Sequence, residues 1–379
     1  MTIDSTVKKR EPFERKRGKN LVVIAIVVAV TLFCAFDVDD LRRLPHIVAT
    51  VDKTYIALAF VAMLLFFLCQ SIIVKRLLVA FGYPVRLTQT YQYTLIDYYF
   101  SAITPGASGG QPSEIYFMNK DNIPVGVSSL VMLIFNGLYH IAVLVTIGIA
   151  AFGHVRAIFD GECIFYGLFI VGIAIQAALV ALFFFLIFSK KFAGRLADGA
   201  CALMKKLRIK RAAEIEEKIR AVLSEYRAGA AWLSRHVDIV LKLLPLAIAH
   251  IVLFYSITFW ISRAFGIGGG SIREIIAYQG VYTMTFESLP LPGGVGLAET
   301  GFLKLFRSVY PPHMMAAALL LTRGITYYSF LALGAVVTFF ASGQKRAVAR
   351  HAFARRRLLK RRVTVRPARR TGSAWMRAE

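Results

Sequence analysis

The sequence predicts an all-α polytopic membrane protein with six full spans and two inverted hairpins, which are either re-entrant or built from closely paired helices. Three observations predict this class. The 379-residue chain is 57% hydrophobic, with a mean hydropathy of +0.60. Its apolar residues fall in blocks of about twenty, the length that crosses a bilayer as a helix. Two apolar stretches are interrupted by glycine-rich segments that align with each other.

The six full spans are predicted from apolar blocks that charged residues or loops bound. They cover residues 20–36, 54–74, 127–151, 163–188, 238–264 and 313–341. The first follows a basic run and no small-residue cleavage site comes after it, which predicts an uncleaved signal-anchor.

The four scattered cysteines show neither metal nor redox spacing, and we expect no metal site and no cofactor. His140 and His250 are predicted to be core histidines with one partner each.

Basic residues predict the orientation of these spans. Of the 46 Lys and Arg residues, 32 lie before residue 20, between residues 190 and 235, or after residue 344. The positive-inside rule places these regions, and therefore both termini, on the cytoplasmic side of the cell membrane. The predicted domains are a basic cytoplasmic N-terminus at 1–19, a transmembrane domain at 20–341 and a basic cytoplasmic tail at 342–379.

The basic segments predict contact with anionic headgroups of the inner leaflet. Within residues 190–236, apolar side chains recur at helical spacing, which predicts an amphipathic helix on the membrane surface. These side chains are Ile215, Ile219, Leu223 and Tyr226. A helix that docks a partner is the alternative. The basic tail adjoins the final span, so anchoring explains it and no nucleic-acid partner is expected.

Two glycine-rich segments predict the hairpins, at residues 87–119 and 272–311. A shift of 187 positions aligns Tyr91–Gly109 with Tyr278–Gly296 and gives six identities in nineteen positions. Flanking charges place both ends of the first hairpin inside and both ends of the second outside, so the repeat is inverted. The alternatives are polar loops, or two full spans in each hairpin and ten spans in total.

The candidate substrate-binding residues lie in and beside these hairpins. Glycines permit positive φ and expose backbone N–H groups that can bind an anion. Arg323 is a charged, two-pronged donor that can bind a phosphate. The carboxylates can bind an amine, and charged groups within a membrane usually face a cavity or a partner. The structural alternative for Arg323 is an ion pair with Glu287 or Glu299. For Glu114 and Glu299 it is helix capping in or near the first turn after each tip. The full set is Asp97, Pro105, Gly106, Gly109, Gly110, Glu114, Glu287, Pro292, Gly293, Gly294, Gly296, Glu299 and Arg323.

The segments Thr104–Glu114 and Leu289–Glu299 are similar to the paired signatures of the lysylphosphatidylglycerol synthase transmembrane region, also called the flippase-like family. The resemblance covers residues 20–341 and implies an integral membrane protein that moves a lipid between leaflets. In fused members the lipid is an aminoacylated phosphatidylglycerol. Its exposure outside lowers the negative surface charge and gives resistance to cationic peptides.

Fused members also carry a soluble aminoacyl-transferase domain after the membrane region, whereas about 38 residues follow it here. We therefore expect a stand-alone flippase-like transporter of an aminoacylated or other phospholipid, without catalytic residues. A separate aminoacyl- or glycosyl-transferase is the expected protein partner. The alternatives are phosphatidylglycerol lysyltransferase activity with a partner domain, flipping of a polyprenyl-phosphate-linked sugar, and an assembly factor.

Overall fold

A computed structural model describes residues 46, 49–104, 107–152, 158–159, 163–206, 212–287 and 297–343. The fold is about 88% helical, with no strand in the described part of the chain. The helices are α1 Lys53–Ala80, α2 Leu87–Ile103, α3 Gly110–Lys120, α4 Val125–Ala150, α5 Cys163–Phe188, α6 Lys190–Lys206, α7 Ala212–Leu233, α8 Val237–Ala264, α9 Ile272–Tyr282, α10 Leu297–Leu305, α11 Pro312–Arg323 and α12 Ser329–Gly343. All of them belong to a unit that ends at Gln344, and residues 345–379 lie outside the described residues.

Five segments of the described chain are long and apolar enough to cross a membrane. Four are single helices: α1, α4, α5 and α8. The fifth joins α11 to α12 through a π-helical turn at Gly324–Tyr328. These segments match five of the six predicted spans. The sixth prediction, residues 20–36, lies outside the described residues.

The long helices α1 and α8 are antiparallel neighbours. At one end, the Asp52 N–H donates to the carbonyl oxygen of Ala264 at 3.0 Å, which ties the start of α1 to the end of α8. At the other end, Lys75 near the end of α1 and Lys242 near the start of α8 line the same groove. The Asp52 side chain also accepts from the Thr54 N–H at 2.8 Å and caps α1.

Two pairs of short helices occupy the predicted hairpins. Helices α2 and α3 fill the first; α9, a π-helical turn at Thr283–Glu287 and α10 lie in the second. With 17 and 11 residues, α2 and α3 are ~25 Å and ~16 Å long, shorter than a hydrocarbon core of ~30 Å. The polar-loop alternative is therefore wrong, because most of the described residues of both segments are helical.

Each short-helix pair packs against a membrane-length segment from the other half of the chain. A methyl group on Gly334 of α12 would lie 2.6 Å from the Cβ of Tyr99 in α2. A methyl group on Gly280 of α9 would lie 2.6 Å from Cγ1 of Ile147 in α4. Glycine permits this close helix approach, which is the main way membrane helices gain packing energy. Both pairs are therefore built into the bundle.

The segment at 190–236 forms helices α6 and α7, and α7 is docked on the bundle. Glu225 of α7 accepts from the N–H of Gly126, the second residue of α4, at 3.2 Å. The Tyr226 hydroxyl donates to the carbonyl oxygen of Leu186 at 2.7 Å. Tyr226 was predicted to face the membrane surface, but its side chain contacts the protein instead. Helical periodicity does not distinguish an apolar face that contacts lipid from one that contacts protein.

Candidate functional site

Asp97 is held where α2 packs against α1. Its side chain is 9% exposed, and its Oδ2 accepts a hydrogen bond from Nε2 of Gln70 at 3.3 Å. The hydroxyl of Ser101, one turn further along α2, also hydrogen-bonds the carboxylate. The carboxylate therefore has a defined orientation inside the bundle.

Helix α3 reaches Asp97 because it begins with glycine. A methyl group on Gly110 would lie 2.2 Å from Oδ1 of Asp97 and 2.0 Å from Oγ of Ser101. Any other side chain at this position would push α2 and α3 apart or displace the carboxylate. Gly110 thus contributes to the candidate site through its small size.

The turn that precedes α3 differs from the prediction. Gly109 has φ of −87°, so it does not use the positive φ that was expected of it, and Ala107 has φ of +54°. The Thr104 hydroxyl accepts from the Gly109 N–H at 2.8 Å and stabilises the turn. Pro105 and Gly106 lie outside the described residues.

Glu114 is the fifth residue of α3 and is fully buried. Neither carboxylate oxygen has a hydrogen-bond partner among the described residues. It lies just beyond the first turn of α3 and accepts no hydrogen bond from a described backbone N–H, so it does not act as a side-chain cap of that helix. Asp97 is near enough to act on it electrostatically, and the ion pairs found between described side chains include neither acid. A lone ionised carboxylate is costly in an apolar interior, so this group requires a proton or a bound cation.

An aromatic cluster covers the pair of acids and extends into the second half of the chain. The ring of Tyr98 lies 5.3 Å from that of Phe66, and Tyr98 is close enough to both acids to interact electrostatically. Phe66 in turn stacks on His250 at 4.1 Å and contacts Phe254 at 5.0 Å. The cluster consists of Phe66, Phe67, Tyr91, Tyr98, His250, Phe254 and Phe330.

The prediction of core histidines with one partner each is confirmed for His250, which is fully buried, whereas His140 has one partner but is only half-buried. Nδ1 of His250 lies 2.9 Å from the carbonyl oxygen of Phe66, and Nδ1 of His140 bonds Oε1 of Gln176. No group of three or more metal-ligating side chains occurs in the described part of the chain.

Arg323 lines a separate cavity of about 40 Å³ in the second half of the chain. This volume exceeds what one water molecule needs. The Thr258 hydroxyl in its wall donates to Oε1 of Gln279 at 2.9 Å. Arg323 is the last residue of α11 and directly precedes a π-helical turn, an irregularity that is frequent at functional sites. The remaining lining residues with a hydroxyl group are Tyr282, Thr322 and Thr326.

The predicted ion pair of Arg323 stays a prediction. Glu287 ends the π-helical turn after α9 and Glu299 lies in the first turn of α10, and the side chains of both are outside the described part of the structure. The ion pairs found between described side chains do not include Arg323. Pro292, Gly293, Gly294 and Gly296 lie outside the described residues.

Of the predicted set, the structure brings Asp97, Gly110 and Glu114 into one cluster. Arg323 lines a different cavity. Phe254 lies between that cavity and the acid cluster, because it lines the cavity and also contacts Phe66 of the aromatic cluster. Sequence reasoning missed Gln70. Its signal was a lone amide inside the apolar run of α1, and such a group requires a polar partner.

Comparison with known proteins agrees with this architecture. A family model described as "Lysylphosphatidylglycerol synthase TM region" matches residues 20–334. A "UPF0104 membrane protein" of Archaeoglobus fulgidus is 22% identical over 333 residues, covering 83% of this chain and 95% of the relative. Another from Methanothermobacter thermautotrophicus is 22% identical over 346 residues, covering 86% and 97% respectively. Because the family model spans most of its length, this multi-pass membrane protein belongs to the lysylphosphatidylglycerol synthase transmembrane region family.

Proposed function

We propose that the protein moves a lipid with a positively charged headgroup, such as an aminoacylated phospholipid, from one leaflet to the other. The observation that carries this proposal is Glu114, a fully buried carboxylate without a hydrogen-bond partner among the described residues, beside the buried Asp97. An ammonium group offers three N–H donors and one positive charge, which balances the pair when the two acids hold one proton between them. Membership of a family named for a lipid synthase's membrane region supports a lipid cargo.

We infer that the two halves of the chain form an inverted repeat. Helices α3 and α10 begin at Gly110 and Leu297, which are 187 residues apart. Helices α4 and α11 begin at Val125 and Pro312, which have the same separation. This is the shift that aligns the glycine-rich segments, and the corresponding helices α1 and α8 are antiparallel. In such repeats one half rocks against the other and exposes a central site to each side in turn.

The short-helix pairs are re-entrant hairpins in this proposal, with both chain termini in the cytoplasm. Each hairpin packs on a span of the opposite half, so a relative movement of the halves would move both hairpins. The Asp97–Glu114 pair binds the amine of the headgroup, and Arg323 binds a phosphate oxygen because a guanidinium is a fixed, charged donor. The acyl chains remain in the lipid throughout.

Translocation by the purified protein in vesicles tests the proposal. Lysylphosphatidylglycerol is placed in the inner leaflet, and its appearance outside is followed with a membrane-impermeant amine reagent. We expect Asp97→Asn and Glu114→Gln to reduce exposure to the rate of protein-free vesicles. The matched control is Glu217→Gln, which neutralises an exposed acid on α7. Wild-type rates in both site variants would contradict the proposal.

The same vesicles separate the other candidate activities. If the protein moves a polyprenyl-phosphate-linked sugar but not lysylphosphatidylglycerol, the sugar-linked lipid is the cargo. Formation of lysylphosphatidylglycerol from charged tRNA and phosphatidylglycerol by this chain alone would instead identify an enzyme.

A further inference from the structure

A groove of about 510 Å³ lies between α1 and α8, and its lining does not include the acid pair. We call it the basic groove. Its volume is within the range of pockets that bind small ligands. Three basic residues, Lys75, Arg76 and Lys242, lie along it, and the rest of its lining is apolar. The apolar lining includes Ile72, Val79 and Leu243.

We propose that the basic groove binds an anionic phospholipid, whose phosphate contacts the three basic side chains and whose acyl chain lies on the apolar wall. The site is separate from the translocation site and does not depend on the proposed function. Charge complementarity and the mixed lining favour this occupant: a soluble anion would leave the apolar wall in water, and a neutral lipid would leave the cations without a partner.

The position of the groove also favours a phospholipid. Helices α1 and α8 are each long and apolar enough to cross a membrane. Lys75 and Arg76 lie within six residues of the end of α1, and Lys242 is the sixth residue of α8. Basic side chains at such positions extend to the level of the lipid headgroups. The groove therefore spans the boundary that a phospholipid itself spans.

The leaflet follows from the neighbouring helix. Phe81, directly after α1, contacts Trp232 of α7 with ring centroids 5.2 Å apart, so the groove opens at the end of the bundle where α7 is docked. Helix α7 belongs to the strongly basic 190–236 segment, which the positive-inside rule assigns to the cytoplasm. The inner leaflet carries the anionic lipids that the groove requires.

The existing ion pair in the groove does not prevent this binding. Lys242 contacts Asp238 at 2.9 Å, but the two side chains are 76% and 58% exposed. An exposed pair of this kind contributes little stability and readily exchanges for another anion. Because Lys75 and Arg76 carry two further positive charges, the groove keeps an excess of positive charge when Asp238 is included.

Native mass spectrometry of the full chain, titrated with phosphatidylglycerol or phosphatidylcholine, tests the site. We expect phosphatidylglycerol to bind more tightly, and we expect the triple variant Lys75→Gln, Arg76→Gln, Lys242→Gln to lose about tenfold or more of that affinity. Val79→Trp fills the groove without a charge change and has the same expected effect. Lys53→Gln removes a charge from the opposite end of α1 and is expected to leave binding unchanged.

Three outcomes would overturn the proposal. One is unchanged phosphatidylglycerol affinity in both the triple variant and Val79→Trp. Another is an equal loss in Lys53→Gln, which would indicate a general charge effect. The third is equally tight binding of glycerol phosphate, which would indicate a phosphate site without a lipid. If the triple variant does not fold, Val79→Trp and the single change Lys242→Gln decide the question.

Discussion

Gly110 and Asp97 are packed so closely that a single methyl group on the glycine would lie 2.2 Å from the carboxylate oxygen Oδ1. The contact joins the start of one short helix to the middle of another, so the geometry of the acid pair depends on a residue with no side chain. The absence of a side chain at Gly110 therefore allows α3, which carries Glu114, to pack close to Asp97 of α2.

Gly110→Ala is expected to destabilise the protein by about 1–3 kcal/mol, because the added methyl must displace Asp97 or separate α2 from α3. Thermal unfolding of the purified protein in detergent measures this effect. Gly148→Ala is the matched control, since it replaces a glycine in the last turn of α4 where an added methyl group meets nothing within 4 Å. Equal stability of the two variants would show that the close contact has no energetic consequence.

Glu114→Met is expected to raise stability while it abolishes translocation. Methionine has a similar shape, and it removes the cost of burying a carboxylate without a partner, which is about 1–3 kcal/mol. The unfolding midpoint and the vesicle assay are measured on the same preparation. Glu217→Met, at an exposed position of α7, should change neither the unfolding midpoint nor the translocation rate. A strongly destabilised Glu114→Met variant would show that the carboxylate has a structural partner.

Arg323→Lys is expected to reduce translocation about tenfold or more without a loss of stability. Lysine keeps the positive charge but does not provide the planar, two-pronged donor that a phosphate accepts. Initial rates in vesicles provide the measurement, and Arg235→Lys, at an exposed position after α7, is the control. Wild-type rates in Arg323→Lys would leave the cavity without a role in headgroup binding.

Glu225→Ala is expected to loosen α7 from the bundle. Its carboxylate accepts from the N–H of Gly126 at the start of α4, where a negative charge also favours the helix dipole. Loss of a cap worth about 1 kcal/mol corresponds to roughly fivefold faster amide exchange in α7. Hydrogen exchange of residues 212–233 measures it. Glu217→Ala on the same helix should exchange at the wild-type rate.

The sequence was sufficient for the parts of the fold that apolar length determines. The five described spans lie where blocks of apolar residues placed them, since a helix in lipid must satisfy its backbone internally. Which helices pack against each other could not be predicted from the sequence. That Gly110 meets Asp97, or that Gln70 of α1 supplies the donor, depends on which helices are neighbours, and periodicity within one helix carries no such information. The docking of α7 through Tyr226 was missed for the same reason.

Two π-helical turns lie in the second half of the chain. They are Thr283–Glu287 and Gly324–Tyr328, whereas helices α2 and α4 of the first half are regular throughout. A π-turn contains one residue more than an α-helical turn, and shifting it along the helix rotates the intervening side chains by ~100°. Arg323 directly precedes one such turn, so a shift of that turn towards α11 would turn the guanidinium to another face of the helix. A shift of this kind would change which face of α11 carries Arg323 without unfolding the helix.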